Sequence, residues 1–455
     1  MTAAAASAGS ATTTPITVEA ATAADPPRRI FQSLGIRNFR LFFFGQLVSQ
    51  VGTWLSQVAL TLLILHLTNS GVAMGALIAC QFAPVLLLGF YGGVTADRRD
   101  KRRVLLITQT LQMVQSAVLA VFAFMPHPPI AAFYVVALAG GVLLAFDNPA
   151  RRSFVTEMVP LDHVQNAVML NAALMTASRV VGPALAGLLV VTAGYGWAFT
   201  INAVSYLAVI GGLWLMRPSE LRRATRTPKA KGQVRDGLRY VRNVPELWVP
   251  MVMVTIIGML TFNFAVTLPL FVVRSLQGSD GTYTALYAVL SIGSLAAALA
   301  AARQRTSTVR TAVRAAFGFA ASMFLLAAAP NLATAFPAAL LVGFFSILFM
   351  TGATAMVQVN ADPAMRGRVL SLQAIVILGT SPIGGPLVGA ACDAFGARSG
   401  LVIGGVGALG AALWGHRQGL RARSTAGVAA VARRQRAANP SGIRLGIRND
   451  AAREA

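Results

Sequence analysis

The sequence predicts an all-α polytopic membrane protein of twelve transmembrane helices in two pseudo-symmetric six-helix bundles. Three observations predict it. Hydrophobic residues fill 56% of the 455 positions and charged residues only 12%, a balance foreign to soluble domains of this length. Apolar runs of roughly 18 to 28 residues recur along nearly the whole chain, each long enough to cross a hydrocarbon core as helix. Basic residues gather in the termini and in every second turn between those runs, the pattern of an even number of helices with both ends on one side.

The first six runs extend from about Leu41 to His66, Val72 to Ala96, Val104 to Met125, Ile130 to Ala150, Asn166 to Ala193 and Trp197 to Met216. The second six extend from Glu246 to Arg274, Thr282 to Ala302, Val309 to Ala329, Thr334 to Val359, Val369 to Ala394 and Ser399 to Gly415. Backbone groups in lipid must be satisfied within their own segment, so each run reads as helix. Between the second and third runs, Asp97-Arg98-Arg99-Asp100-Lys101-Arg102-Arg103 carries a charge at every position. That cluster is the turn of a hairpin, held at one membrane surface.

The organisation that follows is a disordered cytoplasmic arm (1–36), an N-terminal bundle (37–216), a cytoplasmic connector (217–245), a C-terminal bundle (246–416) and a basic tail (417–455). The arm, rich in Ala, Thr and Ser, lacks the apolar core of a cleaved signal peptide. The connector ends in Val234 to Pro245, with Val234, Leu238 and Val241 on one helical face and Arg235, Arg239 and Arg242 on another. An interfacial amphipathic helix on the cytoplasmic surface is expected there.

A net charge of +23 raises the question of nucleic acid. All but three of the 38 Lys and Arg lie in the termini, the connector and alternate turns; the exceptions are Arg179, Arg274 and Arg398. The charge is therefore topogenic, with no nucleic-acid partner. It implies a multi-pass protein of the inner (plasma) membrane with N- and C-termini in the cytoplasm and anionic lipid headgroups as secondary partners. Cys80 and Cys392 both sit in apolar spans and suggest no disulfide. No catalytic residue, cofactor or metal site is expected: there is no Gly-x4-Gly-Lys-Ser/Thr loop, and His66 and His127 have no metal-ligand partner in spacing.

Internal duplication shows faintly. Gly182-Pro183, Tyr195-Gly196 and Trp214 are echoed by Ser381-Pro382, Phe395-Gly396 and Trp414 at an offset of about 200.

From about Arg37 to Trp414 the chain resembles the major facilitator superfamily, and within it the branch of enterobactin-exporter-like and related multidrug permeases. Gly93 to Arg103 carries the resemblance most strongly: a Gly, three residues, Asp-Arg, then basic residues, between helices two and three. Asp100 departs from the second Gly found in many members. Phe146-Asp147-Asn148-Pro149-Ala150-Arg151-Arg152, Arg179 to Gly187, and Arg366-Gly367-Arg368-Val369 are similar to the same branch. The resemblance implies a monomeric secondary transporter that alternates access to a midplane cavity. Proton-coupled efflux of a small amphiphilic molecule is the expected activity, with protons and that molecule as partners. The alternatives are a metabolite importer or symporter, and a non-transporting receptor or scaffold on the same fold.

Residue roles follow. The resemblance implies that Asp97, with Gly93 and Arg98, faces the start of helix eleven and gates the two halves, where a carboxylate near a helix N-terminus is favoured. Arg98 or Arg102 is expected to pair with Asp147, whereas Arg99, Lys101 and Arg103 read as exchangeable topogenic charges. Gly182, Pro183 and Gly187 resemble the antiporter motif of the superfamily and suit a moving joint. Arg179, roughly 20 Å along helix five, is expected in the cavity, binding a substrate anion or coupling to a carboxylate, or else snorkelling. Gln46, Gln50, Thr53, Gln57 and Thr61 form one polar stripe on helix one, and Gln109, Gln112, Gln115 and Ser116 form a second on helix three. Tyr283, Tyr287, Ser291 and Ser294 make a third on helix eight. These faces either line the cavity or glue helices together, with Trp54, Phe262 and Phe264 supplying apolar contact. The resemblance implies a carboxylate deep in helix one or helix four; helix one has none, the available carboxylates are Asp147, Asp393 and Glu246, and Asp147 and Asp393 are the proton-coupling candidates.

Overall fold

In the computed structural model, which describes residues 31–222, 233–303 and 308–438, twelve helices are long and apolar enough to span a membrane. In chain order they are α1 (Arg37–Thr68), α2 (Gly71–Arg98), α3 (Lys101–Phe124), α4 (Ile130–Glu157), α5 (Leu161–Ala193), α6 (Tyr195–Leu215), α7 (Pro245–Ser275), α8 (Asp280–Ala301), α9 (Val309–Ala328), α10 (Leu332–Asn360), α11 (Met365–Phe395) and α12 (Arg398–Gln418). All twelve expected spans are present. The side chains they leave exposed, such as Leu87, Phe90, Leu188 and Trp214, are those a lipid-facing surface requires and a soluble protein would bury.

Several spans run longer than their apolar stretch. α4 continues past Ala150 to Glu157, so that Arg151 and Arg152 ride on helix instead of a turn. Pro149 does not stop it, although its ring cannot donate a backbone hydrogen bond. α7 is interrupted at Thr261–Asn263, and α11 is broken at Thr380, where Ser381-Pro382 restarts the helix. The backbone that begins α12 stays helical to Ala438, through much of the expected tail. Residues 1–30, 223–232 and 439–455 of the expected arm, connector and tail lie outside the described residues.

The two bundles repeat one packing scheme. α2 packs on α4, α1 on α6, and α3 on α4 and α6; in the second bundle α8 packs on α10, α7 on α12, and α9 on α10 and α12. Between bundles, α2 meets α11 and α5 meets α8, contacts that exchange under the same pseudo-twofold. The register of the repeat is 202 residues: Gly194 (φ 89°) ends α5 and Gly396 (φ 87°) ends α11, both in the left-handed region that favours glycine. The echo of Gly182-Pro183 in Ser381-Pro382 is therefore displaced. Gly182 corresponds to Gly384 and Gly187 to Gly389, and the prolines do not superpose.

The connector helix, Gln233–Asn243, does not rest its whole apolar face on the membrane surface. Val241 is fully buried against Leu247, Met251, Val357, Ala361 and Val369, while Leu238 is exposed. The Tyr240 hydroxyl donates to Asp362 Oδ2 at 3.3 Å and accepts from Asp362 N at 3.1 Å. The helix is thus docked on the C-terminal bundle.

Candidate transport cavity and interbundle contacts

The end of the molecule carrying Arg98–Arg103 is called the basic end. There, Asp97 and Arg98 are exposed in the last turn of α2. Asp100, the departure from the family pattern, is the N-cap of α3 and accepts from Arg103 N at 3.2 Å, a role that carboxylates favour at helix starts. Lys101 is not an exchangeable charge: its ammonium bonds the Glu157 carboxylate at the end of α4, and both side chains are nearly buried. Gly92, not Gly93, makes the tight contact. A Cβ at Gly92 would lie 1.9 Å from the Ala145 carbonyl oxygen, and one at Gly93 would meet nothing within 4 Å.

Asp147 is completely buried. Thr108 Oγ1 and Gln109 Nε2 donate to its Oδ1 at 2.9 and 2.7 Å, and Arg151 Nη2 lies 3.2 Å from its Oδ2. The expected partner, Arg98 or Arg102, is displaced because α4 stays helical and presents Arg151 one turn along. Arg102 instead donates to the Leu213 and Trp214 carbonyls at 2.7 and 3.2 Å, satisfying the end of α6. Gln46 is fully buried and accepts from Arg151 Nη1 at 3.4 Å, so it supports the pair and does not line open space.

Within the N-terminal bundle, α1, α2, α3, α4 and α6 line a cavity of about 130 Å³. Thr53, Gln57, Gln112 and Gln115 line it, as the stripes on helices one and three imply. Gln81 on α2 and Asn202 and Tyr206 on α6 join them, isolated polar residues that no stripe marks. Gln57 Nε2 donates to Gln81 Oε1 at 2.9 Å, and Thr53 Oγ1 lies 3.4 Å from the Tyr206 hydroxyl. Gln50 approaches Gln46 Oε1 at 3.5 Å, and Thr61 is buried, donating to the Gln57 carbonyl. Phe262 belongs to an aromatic cluster of the C-terminal bundle, with ring centroids 5.8 Å from Phe264 and 5.5 Å from Phe319.

A second cavity, about 110 Å³, lies between bundles, lined by Thr176 and Arg179 of α5, Ser291 and Ser294 of α8 and Ile347 of α10. The Arg179 guanidinium carbon sits 5.2 Å from the Trp54 ring centroid. Tyr287, one turn before Ser291, packs edge-on to Tyr283 at 6.0 Å. In α5, Gly182 admits α1, since a Cβ would lie 2.4 Å from Trp54 Cβ, and Gly187 admits α8, since a Cβ would lie 1.9 Å from Thr284 Oγ1. Pro183 is buried beside them. α11 copies this: Gly384 abuts the Met259 carbonyl of α7, and Gly389 that of Gly71 in α2.

Among the described residues, two clusters of polar contacts join the bundles at the opposite end of the molecule. Asp393 of α11 accepts from Gly71 N, Val72 N and Ser70 Oγ at 2.8, 2.9 and 2.8 Å, and from Arg274 Nη1 of its own bundle at 2.8 Å. Arg274 also bonds Asn69. Asp280 accepts from the Tyr195 hydroxyl at 2.6 Å and lies 2.9 Å from His66 Nε2. This end is closed.

The family described as transmembrane secretion effector matches residues 30–441. The chain belongs to that family of the major facilitator superfamily. This family member is 23% identical over 366 residues to the staphyloferrin A transporter of Staphylococcus aureus (strain NCTC 8325 / PS 47), covering 78% of this chain and 90% of that protein. It is 24% identical over 165 residues to the enterobactin exporter of Shigella flexneri, 36% of this chain and 40% of that one, so kinship is not confined to the enterobactin-exporter branch. The fold matches an inward-facing, unoccupied structure of a bacterial homolog to the human lysosomal transporter Spinster, with a TM-score of 0.66 and 15% identity over 84% of this chain and 98% of that one. This member of the superfamily is a secondary transporter of small molecules.

Proposed function

We propose that the chain is a proton-coupled exporter of small amphiphilic molecules, monomeric in the inner membrane, with its basic end and both termini in the cytoplasm and anionic headgroups against the basic rim. The observation that carries this reading is Asp147: a fully buried carboxylate held by neutral donors on α3 and by one cation on its own helix. Such a carboxylate can exchange its cation for a proton. Protonated Asp147 releases Arg151, which also touches Gln46 of α1, so proton binding on α4 reaches the helix that lines the cavity. Deprotonation toward the cytoplasm restores the pair.

Access alternates by rocking the bundles about the α2–α11 and α5–α8 contacts. Asp393 and Asp280 hold the outer end shut; Gly93, Asp97 and Arg98 gate the basic end. Asp393 is thereby a gate residue, leaving Asp147 as the proton carrier. Export draws support from the likeness of Gly182-Pro183 and Gly187 to the antiporter motif, and from a relative named as an exporter.

The test is transport in proteoliposomes under an imposed pH gradient. Asp147→Asn should abolish gradient-driven movement while sparing substrate counterflow. Gradient-driven export by Asp147→Asn at the wild-type rate sinks the proposal.

A further inference from the structure

Three basic residues lie outside the termini, the connector and the basic-end turns, and the structure accounts for two of them. Arg274 bonds Asp393 and Asn69. Arg398 donates to the Ala327 and Ala329 carbonyls at 3.1 and 2.9 Å, satisfying the end of α9. Arg179 differs from both. It lies near the middle of α5, and among the described residues no carboxylate pairs with it and no acceptor takes a hydrogen bond from its side chain. Its guanidinium lies over the Trp54 ring and within electrostatic reach of Tyr287, uncharged groups that stabilise a cation without neutralising it.

A charge at mid-membrane depth is expensive and persists where it faces a partner or a water-filled cavity, and Arg179 is exposed. The buried carboxylate Asp147 of this bundle is occupied by Arg151, Thr108 and Gln109. The surrounding hydroxyls are also engaged: Ser291 donates to the Tyr287 and Arg179 carbonyls, Ser294 to those of Leu290 and Gly343, and Thr176 to that of Ala172. The guanidinium therefore holds the donors still to be satisfied, and the rest of the wall, Met175, Val180, Ala298 and Ile347, is apolar.

We propose that Arg179 and Trp54 form the subsite for the anionic group of the transported molecule, a carboxylate on a flat, apolar body. The proposal rests on the reading of the chain as an exporter and names its substrate class. One cation selects one anionic group. The Trp54 ring holds the guanidinium in place while the apolar wall takes up the body of the molecule, and because α5 belongs to one bundle and α8 and α10 to the other, a molecule bound here touches both halves that must move.

Three probes share one aromatic body: 1-naphthaleneacetate, the neutral 1-naphthaleneacetamide and the cationic 1-naphthylmethylammonium. Binding is measured by calorimetry on the full chain in nanodiscs of phosphatidylcholine. The wild type should bind the carboxylate about tenfold or more above the amide, the value of roughly one charge-assisted contact. Arg179→Gln should erase that preference, Arg179→Lys should keep part of it, and Arg179→Glu should turn it toward the ammonium. Thermal unfolding confirms that each variant is folded, and Arg179→Lys keeps the test alive if another is not. Equal affinity of wild type for carboxylate and amide, including none for either, overturns the proposal, as does a preference that survives Arg179→Gln. Loss of carboxylate binding in phosphatidylglycerol nanodiscs would assign the site to a lipid phosphate and overturn it as well. Since binding needs no gradient, a charge preference without proton-driven transport would sink the exporter reading alone, and export indifferent to Arg179 would sink this subsite alone.

Discussion

Asp393 caps the helix that begins at Gly71: its carboxylate, carried by the other bundle, receives the Gly71 and Val72 backbone N–H groups at 2.8 and 2.9 Å. Helix N-termini favour negative charge, and here that preference crosses the interface between the two halves. Arg274 completes the cluster from the side of Asp393. The arrangement depends on bare backbones, because a Cβ on Gly71 would lie 2.4 Å from the Gly389 carbonyl and one on Gly75 2.5 Å from that of Gly385.

Asp393→Asn should therefore loosen this end. A carboxylate at a helix start in a partly buried site contributes up to about 2 kcal/mol, so the open-to-closed ratio should rise by roughly 5- to 30-fold. Spin labels at Trp197 and Phe395, exposed positions of the two bundles at this end, report it as a growing long-distance population. An unchanged distance distribution would show that the cap does not hold the halves together.

Glycines of α5 and α11 separate the two kinds of contact. Gly182→Ala and Gly384→Ala crowd a neighbour of the same bundle and should lower the thermal midpoint. Gly187→Ala and Gly389→Ala crowd the other bundle and should shift the label distances while leaving the midpoint nearly unchanged. If all four behave alike, the division into bundle and hinge contacts is mistaken.

At the basic end, Gly92→Ala drives a methyl into the Ala145 carbonyl and should destabilise by about 1–3 kcal/mol, the usual result of overpacking. Gly93→Ala should leave stability unchanged, since its Cβ meets open space. Stability curves in denaturant that rank the two the other way would refute this packing.

Lys101 and Glu157 are about 10% and 9% exposed. Breaking a buried pair by removing one partner typically removes about 3–5 kcal/mol, so Glu157→Gln should destabilise strongly, and Lys101→Met with Glu157→Leu together should recover much of the loss. A single variant as stable as wild type would return Lys101 to a purely topogenic role.

The twelve spans were legible because lipid imposes length and polarity on each helix separately. Side-chain partners were not, because they depend on where a helix stops. Asp147 was expected to reach across to Arg98 or Arg102, yet α4 runs seven residues beyond Ala150 and Arg151 meets it first. Gly92 and Gly93 are identical as letters; only the approach of α4 distinguishes them. Asp393 read as a candidate proton carrier because α2's N-terminus, its actual partner, lies more than 300 positions away. The duplication was visible but out of register by about two residues, since matching prolines are conspicuous and matching close contacts are not.

The docked connector helix bears on how far the bundles can travel. Arg222 is tied to the first bundle through its N–H to the Glu157 carbonyl at 2.8 Å, and from Gln233 the chain is already part of the second. The tether between those anchors is roughly eleven residues, which covalent geometry limits to about 36–40 Å at full extension. That leash sets the upper limit on how far the two anchors can part, while the Tyr240–Asp362 contact ties the connector helix to the second bundle, so that it swings as part of that bundle.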